Sequence, residues 1–232
     1  IEARSFYNCS GFSGAIVITD IAAQNIGQDA LFNTNFAQLV VHDNVSDISE
    51  GEFDYFKNFA VELTLQEGIA SISVLIIGDA AFQNVQFDGE YLFSQGGVIS
   101  IGSGAFKNCG GISGDLIFND NLFYIGDEAF RNNTSINGTL RIPDFIETIG
   151  DYAFAGNVSM SGNIYMPNSL SGLGQGAFLN CSSLDGLLTI SRNPFLTEIK
   201  TETFKNCSSI SGDLFLPDNI VNVGTQAFKN CF

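Results

Sequence analysis

Five cysteines, one histidine and a set of regularly placed carboxylates are the residues of this sequence with chemistry to offer. Cys9, Cys109, Cys181, Cys207 and Cys231 each follow a phenylalanine by three residues, and two further segments place Asn133 and Asn157 at the same point. A disulfide framework wants an even count and varied spacing; neither is present. No histidine joins Cys181, Cys207 and Cys231, so a zinc set is incomplete. Cysteine and asparagine sharing one position instead predict a buried site where a small group hydrogen-bonds the backbone, with the thiols reduced.

The carboxylates tell the same story. Asp20, Asp43, Asp120, Asp144, Asn168 and Asp218 occupy one recurring position, which on adjacent strands would set them roughly 5 Å apart. Calcium could bridge such a column, but Asp and Asn also close ordinary turns on backbone N–H groups, and that reading is preferred. Acidic pairs are available for glycoside hydrolysis, yet each falls in a repeating column rather than at one special place. The lone His42 is tied to no Ser or Cys by a recognised motif, and no phosphate-cradling glycine loop opens a helix. The sequence predicts no enzyme, no catalytic residue, no metal and no cofactor. Asn-x-Ser/Thr sequons occur at eight places; those in the repeated Asn-Cys-Ser turn read as turn chemistry, leaving Asn44, Asn137 and Asn157 as glycan candidates in a eukaryotic source.

These columns require a periodic scaffold. An Ile-Gly-x-x-Ala-Phe marker recurs as IGSGAF, IGDEAF, IGDYAF, LGQGAF, IKTETF and VGTQAF, ending at Phe106, Phe130, Phe154, Phe178, Phe204 and Phe228, with spacings of 24, 24, 24, 26 and 24. Upstream the frame continues through Phe82, Phe53, Leu31 and Phe6, where spacings of 22 and 29 between Leu31 and Phe82 imply a deletion and an insertion. Six residues after the marker Phe an apolar residue and a Gly open an alternating strand, as in ISGDLIF from Ile112 and MSGNIYM from Met160. Period-two alternation marks a strand buried on one face, and Pro143, Pro167 and Pro217 end three of them. One strand cannot bury its own apolar side, but stacked copies can. The expectation is a single solenoid over 1–232, uncapped at both ends, of about ten turns. Each turn would contribute one strand to a parallel sheet on one face and a return segment carrying the marker. The marker phenylalanines would form an internal column, as would Leu116, Leu140, Ile164, Leu188 and Leu214.

The segments AFKNC from Ala105, AFLNC from Ala177, TFKNC from Thr203 and AFKNC from Ala227 resemble the BspA-like (Treponema pallidum-type) leucine-rich repeat surface proteins. The resemblance spans the chain. It implies a curved leucine-rich-repeat solenoid of the α/β-type repeat class, mostly β and loop, an extracellular or cell-surface location, and a role in adhesion or ligand capture.

Side chains between the buried strand positions face outward: Val17, Val40, Thr64, Leu92, Ile117, Arg141, Tyr165, Thr189 and Phe215. A one-residue slip at Leu92 would present Phe93 instead. A mostly apolar outward row points to an interaction site, and Arg141 with Tyr165 would form its hot spot. A net charge of −16 with nine Lys and Arg argues against nucleic acid and anionic lipid, and no apolar run is long enough for a transmembrane helix. Without an initiator Met or a signal-like start, the chain reads as a mature product or a fragment. Two functions follow. One is a surface module binding a protein or glycan of a cell or matrix surface on its strand face. The other is a structural subunit stacking head to tail into a filament or surface layer.

Overall fold

The computed structural model describes residues 4–11, 13–18, 35–41, 47–48, 62–65, 75–93 and 98–231. The markers at Leu31 and Phe53, together with His42 and Asn44, lie outside them.

The solenoid class and the 24-residue period are confirmed, with two corrections. The regular turns contribute two strands, not one, while the segment 213–217, expected as a front strand, forms none. The front strands are Ser13–Ile18, Asn35–Val41, Glu62–Leu65, Gln86–Phe93, Gly110–Phe118, Leu140–Arg141, Ile164–Met166 and Leu188–Ile190. The back strands are Asp47–Ile48, Leu75–Ile77, Val98–Ile101, Tyr124–Ile125, Thr148–Ile149, Gly172–Leu173, Glu198–Ile199 and Asn222–Val223. All strand pairings among these are parallel; from Tyr124 onward they run residue on equivalent residue, as in Ile164 on Leu188 and Ile149 on Leu173, whereas register shifts interrupt three of the earlier ones. The second strand escaped the sequence reading because it is two to four residues long and runs into the marker, too short to show alternation.

The second correction is the number of turns. From Phe82 to Phe228 seven marker rings stack in six steps of 5.1 to 5.5 Å, nearly parallel to one another. The regular stack thus runs to about six turns rather than ten. Phe82, Phe106, Phe130, Phe154, Phe178 and Phe204 are fully buried, with Leu116, Leu140, Ile164 and Leu188 beside them and Leu214 partly buried. Burying a side chain of this size contributes roughly 1.5–3 kcal/mol.

The marker segment is itself a hydrogen-bonded ladder. Alternate amides close four-residue turns, as Ala129 N donates to Gly126 O at 3.3 Å and Arg131 N to Glu128 O at 3.0 Å. The intervening amides reach the next turn: Glu128 N to Asp151 O, Phe130 N to Ala153 O and Asn132 N to Ala155 O, at 2.7 to 2.8 Å. This alternation needs two left-handed residues four apart, here Glu128 and Asn132 at φ 56° and 63°. Asn tolerates that region better than other side chains, which explains Asn at the second site in most markers. The marker Gly has a different cause. A Cβ on Gly150 would stand 2.5 Å from the backbone N of Asp127 in the preceding turn, so the turns approach too closely for any side chain.

Candidate functional site

Two side-chain columns run through the stack, and each answers a question the sequence raised. The cysteine column is a hydrogen-bond device. Cys109, Cys181, Cys207 and Cys231 each donate Sγ–H to the carbonyl of the preceding turn's marker Phe, at 2.9 to 3.1 Å. Asn133 does the same through Nδ2 to Phe106 O at 2.9 Å, and its Oδ1 accepts from Cys109 N at 2.7 Å. Asn157 Oδ1 accepts from Asn133 N, but its buried Nδ2 has no partner. Burial pushes the Cys181 thiol up to about 12. Cys207 is raised further, by burial first and then by the neighbouring Cys181 and Cys231. Thiols this reluctant to ionise make poor nucleophiles and poor metal ligands.

Asn157 is 0% exposed, so it cannot carry a glycan in this fold, contrary to expectation. Asn137 is exposed, with Oδ1 accepting from Gly114 N at 2.9 Å. Asp120 and Asp218 in the carboxylate column are paired with Arg141 and Arg192, at 3.2 and 3.1 Å. Among the described residues no three His, Cys, Asp or Glu side chains stand close enough together to hold a metal ion.

The outward face is where exposed side chains gather. Register places the expected row in line: Val17 pairs with Val40 and Val40 with Thr64. Leu92 pairs with Ile117 after a register shift between Glu90 and Leu92, and Ile117 pairs with Arg141. Tyr165 pairs with Thr189, and Phe215 follows on the next turn. Ile117 is half-buried, whereas Val17, Arg141, Tyr165, Thr189 and Phe215 are exposed. Arg141 turns to Asp120 of the preceding turn, donating Nη2–H to Oδ1 at 3.2 Å.

A second row, two residues earlier on each strand, faces the same way. It is mostly occupied in stitching turns together. Asp115 Oδ1 accepts from Thr139 N at 2.7 Å, and Asn163 Oδ1 from Leu187 N at 2.7 Å. The exception is Leu187, an apolar residue in a polar column, 50% exposed, whose Cδ2 lies over Gly212. Period-two alternation from Thr189 would have found it. Tyr165 at 45%, Leu187 at 50% and Phe215 at 66% exposure, around Thr189, form an apolar patch over three consecutive turns. Asp185 and Asp213 are exposed nearby on the same strands.

The sequence model for the BspA type leucine rich repeat region matches residues 1–109 and 99–232, in six copies. No curated protein is significantly similar in sequence. Among solved structures, a T. pallidum leucine rich repeat protein aligns with TM-score 0.55 and 18% identity, over 94% of this chain and 81% of that one. A leucine-rich repeat protein from Bacteroides ovatus aligns with TM-score 0.56 and 19% identity, over 100% of this chain and 68% of that one. At these identities the likeness is one of fold.

Proposed function

Because the chain belongs to the BspA-type leucine-rich repeat family, whose matches cover it from end to end, we propose that it is a non-enzymatic binding module displayed on a cell surface or in the extracellular space. It captures its ligand on the front strand face. The observation that carries this reading is the exposed apolar row, centred on Tyr165, Leu187 and Phe215. Leaving that much apolar surface in water is unfavourable by about 25 cal/mol per Å², and a partner relieves it. Strand pairing of Tyr165 with Thr189 and the bridge from Leu187 to Ser211 hold that part of the face in place before binding, which limits the entropy lost on contact.

The test is capture from arrays of matrix proteins and glycans, comparing the native chain with Arg141→Ala, Tyr165→Ala and Phe215→Ala. The aromatic variants should lose most capture while the melting temperature holds, because the substituted side chains lie outside the core. Undiminished capture by all three would overturn the reading.

A second reading, end-to-end assembly, draws on the polarity of the marker ladder. Phe106 N, Phe130 N and Phe154 N all donate to the turn that follows, never to the one before. Copies joined through this ladder would add in one sense only, the condition for a polar filament. Light scattering and electron microscopy distinguish single rods from filaments.

A further inference from the structure

The spacing of the exposed aromatic residues narrows the ligand, on the reading that the front face is the binding surface. Tyr165, Thr189 and Phe215 occupy equivalent positions on consecutive turns; Tyr165 and Thr189 are paired in one ladder, and Phe215 lies on the turn beyond its end. Tyr165 pairs with Thr189, and the neighbouring Leu187 bridges to Ser211 at the start of the next turn's segment. The marker rings of the same three turns, Phe154, Phe178 and Phe204, are 5.4 Å apart at each step. Tyr165 and Phe215 are therefore two turns apart along the stack, with the Thr189 hydroxyl on the turn between them. The strand step, roughly 5 Å, is close to the advance per sugar of an extended β-1,4-linked hexose chain. In its two-fold form such a chain presents the same ring face at every second sugar.

We propose that the Tyr165–Thr189–Phe215 row binds a neutral, extended β-1,4-linked hexose polymer lying along the solenoid axis. Tyr165 and Phe215 stack on the like faces of sugars n and n+2, where polarised C–H groups meet the electron-rich ring faces. The Thr189 hydroxyl meets the hydroxyls of the sugar between. Leu187 supplies an apolar flank. Exposed Asp185 and Asp213 and a net charge of −16 repel uronates and sulfated chains, which makes the preferred polymer neutral. Chains whose linkage winds them into a helix, α-1,4 or β-1,3, cannot bring like faces over both rings.

Isothermal titration or affinity electrophoresis with cellohexaose, mannohexaose and chitohexaose, against maltohexaose and laminarihexaose, tests this. At least one of the β-1,4 hexasaccharides should bind and the other two linkages should not. Its trisaccharide should retain binding that its disaccharide loses, because only three sugars span both rings. Tyr165→Ala and Phe215→Ala should each weaken binding roughly tenfold. Tyr165→Phe should retain it, and Phe145→Ala and Phe195→Ala, exposed at the corner beyond the strand, should leave it unchanged. Equal binding of maltohexaose, or no step between di- and trisaccharide, overturns the spacing argument. Failure of all three β-1,4 chains, while Tyr165→Ala still abolishes capture of an array protein, overturns the glycan and leaves the binding face standing. Hexasaccharide binding that survives both aromatic substitutions overturns the face itself.

Discussion

The turns between residues 98 and 178 and the single 26-residue turn that follows solve the same packing problem differently. In the regular turns the back ladder is closed by backbone: Gly126 N, Gly150 N and Gly174 N donate to Ile101 O, Ile125 O and Ile149 O, each at 2.8 Å. At the long turn the marker reads IKTETF, with Lys200 where the markers ending at Phe82, Phe106, Phe130, Phe154, Phe178 and Phe228 carry Gly. The described residues show no strand pairing across this step; the six-stranded ladder ends at Gly172–Leu173 and a separate pair begins at Glu198–Ile199. Yet the marker ladder crosses unbroken, with Phe178 N donating to Thr203 O at 2.8 Å, and the ring spacing stays at 5.4 Å. Side chains replace the missing backbone bonds. Asn193 donates to Leu170 O and accepts from Phe195 N at 2.8 Å. Thr203, in the alanine position, gives its hydroxyl to Lys200 O at 2.8 Å and Gly174 O at 3.3 Å. A solenoid turn is fastened at several edges, so one edge can open for a longer chain while the others hold register.

The largest expected effect separates the regions at the glycine position itself. Gly150→Ala would put a methyl group 2.5 Å from backbone atoms of Gly126 and Asp127, which cannot retreat without breaking the ladder. We expect a loss of about 3 kcal/mol or more, comparable with severe overpacking, read by urea denaturation. Lys200→Ala, at the equivalent point of the opened step, should change stability by less than about 0.5 kcal/mol. Equal sensitivity at both positions would show that the long turn is as tightly closed as its neighbours.

Next comes the plug. Asn193→Ala strands the buried Leu170 carbonyl and the Phe195 amide, an expected cost of about 2 kcal/mol. Hydrogen exchange should show faster amides around 193–200 and little change at 148–149, because the regular back ladder does not rely on it.

This asymmetry marks what the sequence could and could not convey. Period, core columns and the role of the Cys/Asn position were legible, because each repeats and repetition averages out local ambiguity. The small hydrogen-bonding group at Cys109 and Asn133 follows directly from counting. The back strand was not legible, being two to four residues and defined by partners rather than by composition. Leu187 was passed over because its column is otherwise polar. The burial of Asn157 was hidden by its sequon, although its alignment with Cys109 and Cys181 already placed it in the column read as buried. The opened edge at Lys200 was visible as a 26-residue spacing, but which bonds it would sacrifice depended on geometry.

A smaller contrast lies in alkaline pH. Two turns of the regular region use Asn133 and Asn157 in the internal column, whereas the turns at and beyond the long one use Cys181, Cys207 and Cys231. Burial raises all three thiols above the ordinary value of 9. The native state therefore holds these protons where the unfolded chain gives them up. Their stabilisation is complete below pH 9 and declines as pH rises from there towards the folded value, about 12 for Cys181. For Cys181 the loss one unit above the unfolded value is about 1.4 kcal/mol. Thermal melts from pH 8 to 10.5 should fall for the native chain and fall less for Cys181→Ser, which keeps a donor for Phe154 O without titrating in this range.

The smallest effect compares two carboxylates at the same left-handed marker position. Glu128 is held by Lys107 of the preceding turn and by Arg131 of its own, while Glu202 has only Lys205 beside it, at 2.5 Å. At Glu128 burial works to raise the carboxyl, but the hydrogen bonds from Lys107 and Arg131 outweigh it and hold the group below its usual value. A depressed carboxylate stabilises the fold above its unfolded pKa, and that contribution disappears as pH falls through the folded value. Glu128→Gln should therefore cost about 0.5 kcal/mol near pH 7, a figure reduced for partial exposure. The difference from the native chain should close once pH drops below the ordinary carboxylate range. Glu202→Gln should cost less at neutral pH, because it loses a pairing within one turn and none between turns. If the two variants lose equal stability, cross-turn ion pairing contributes nothing to the regular stack. Its closeness then rests on backbone and core packing alone, and the charged edge is free to vary.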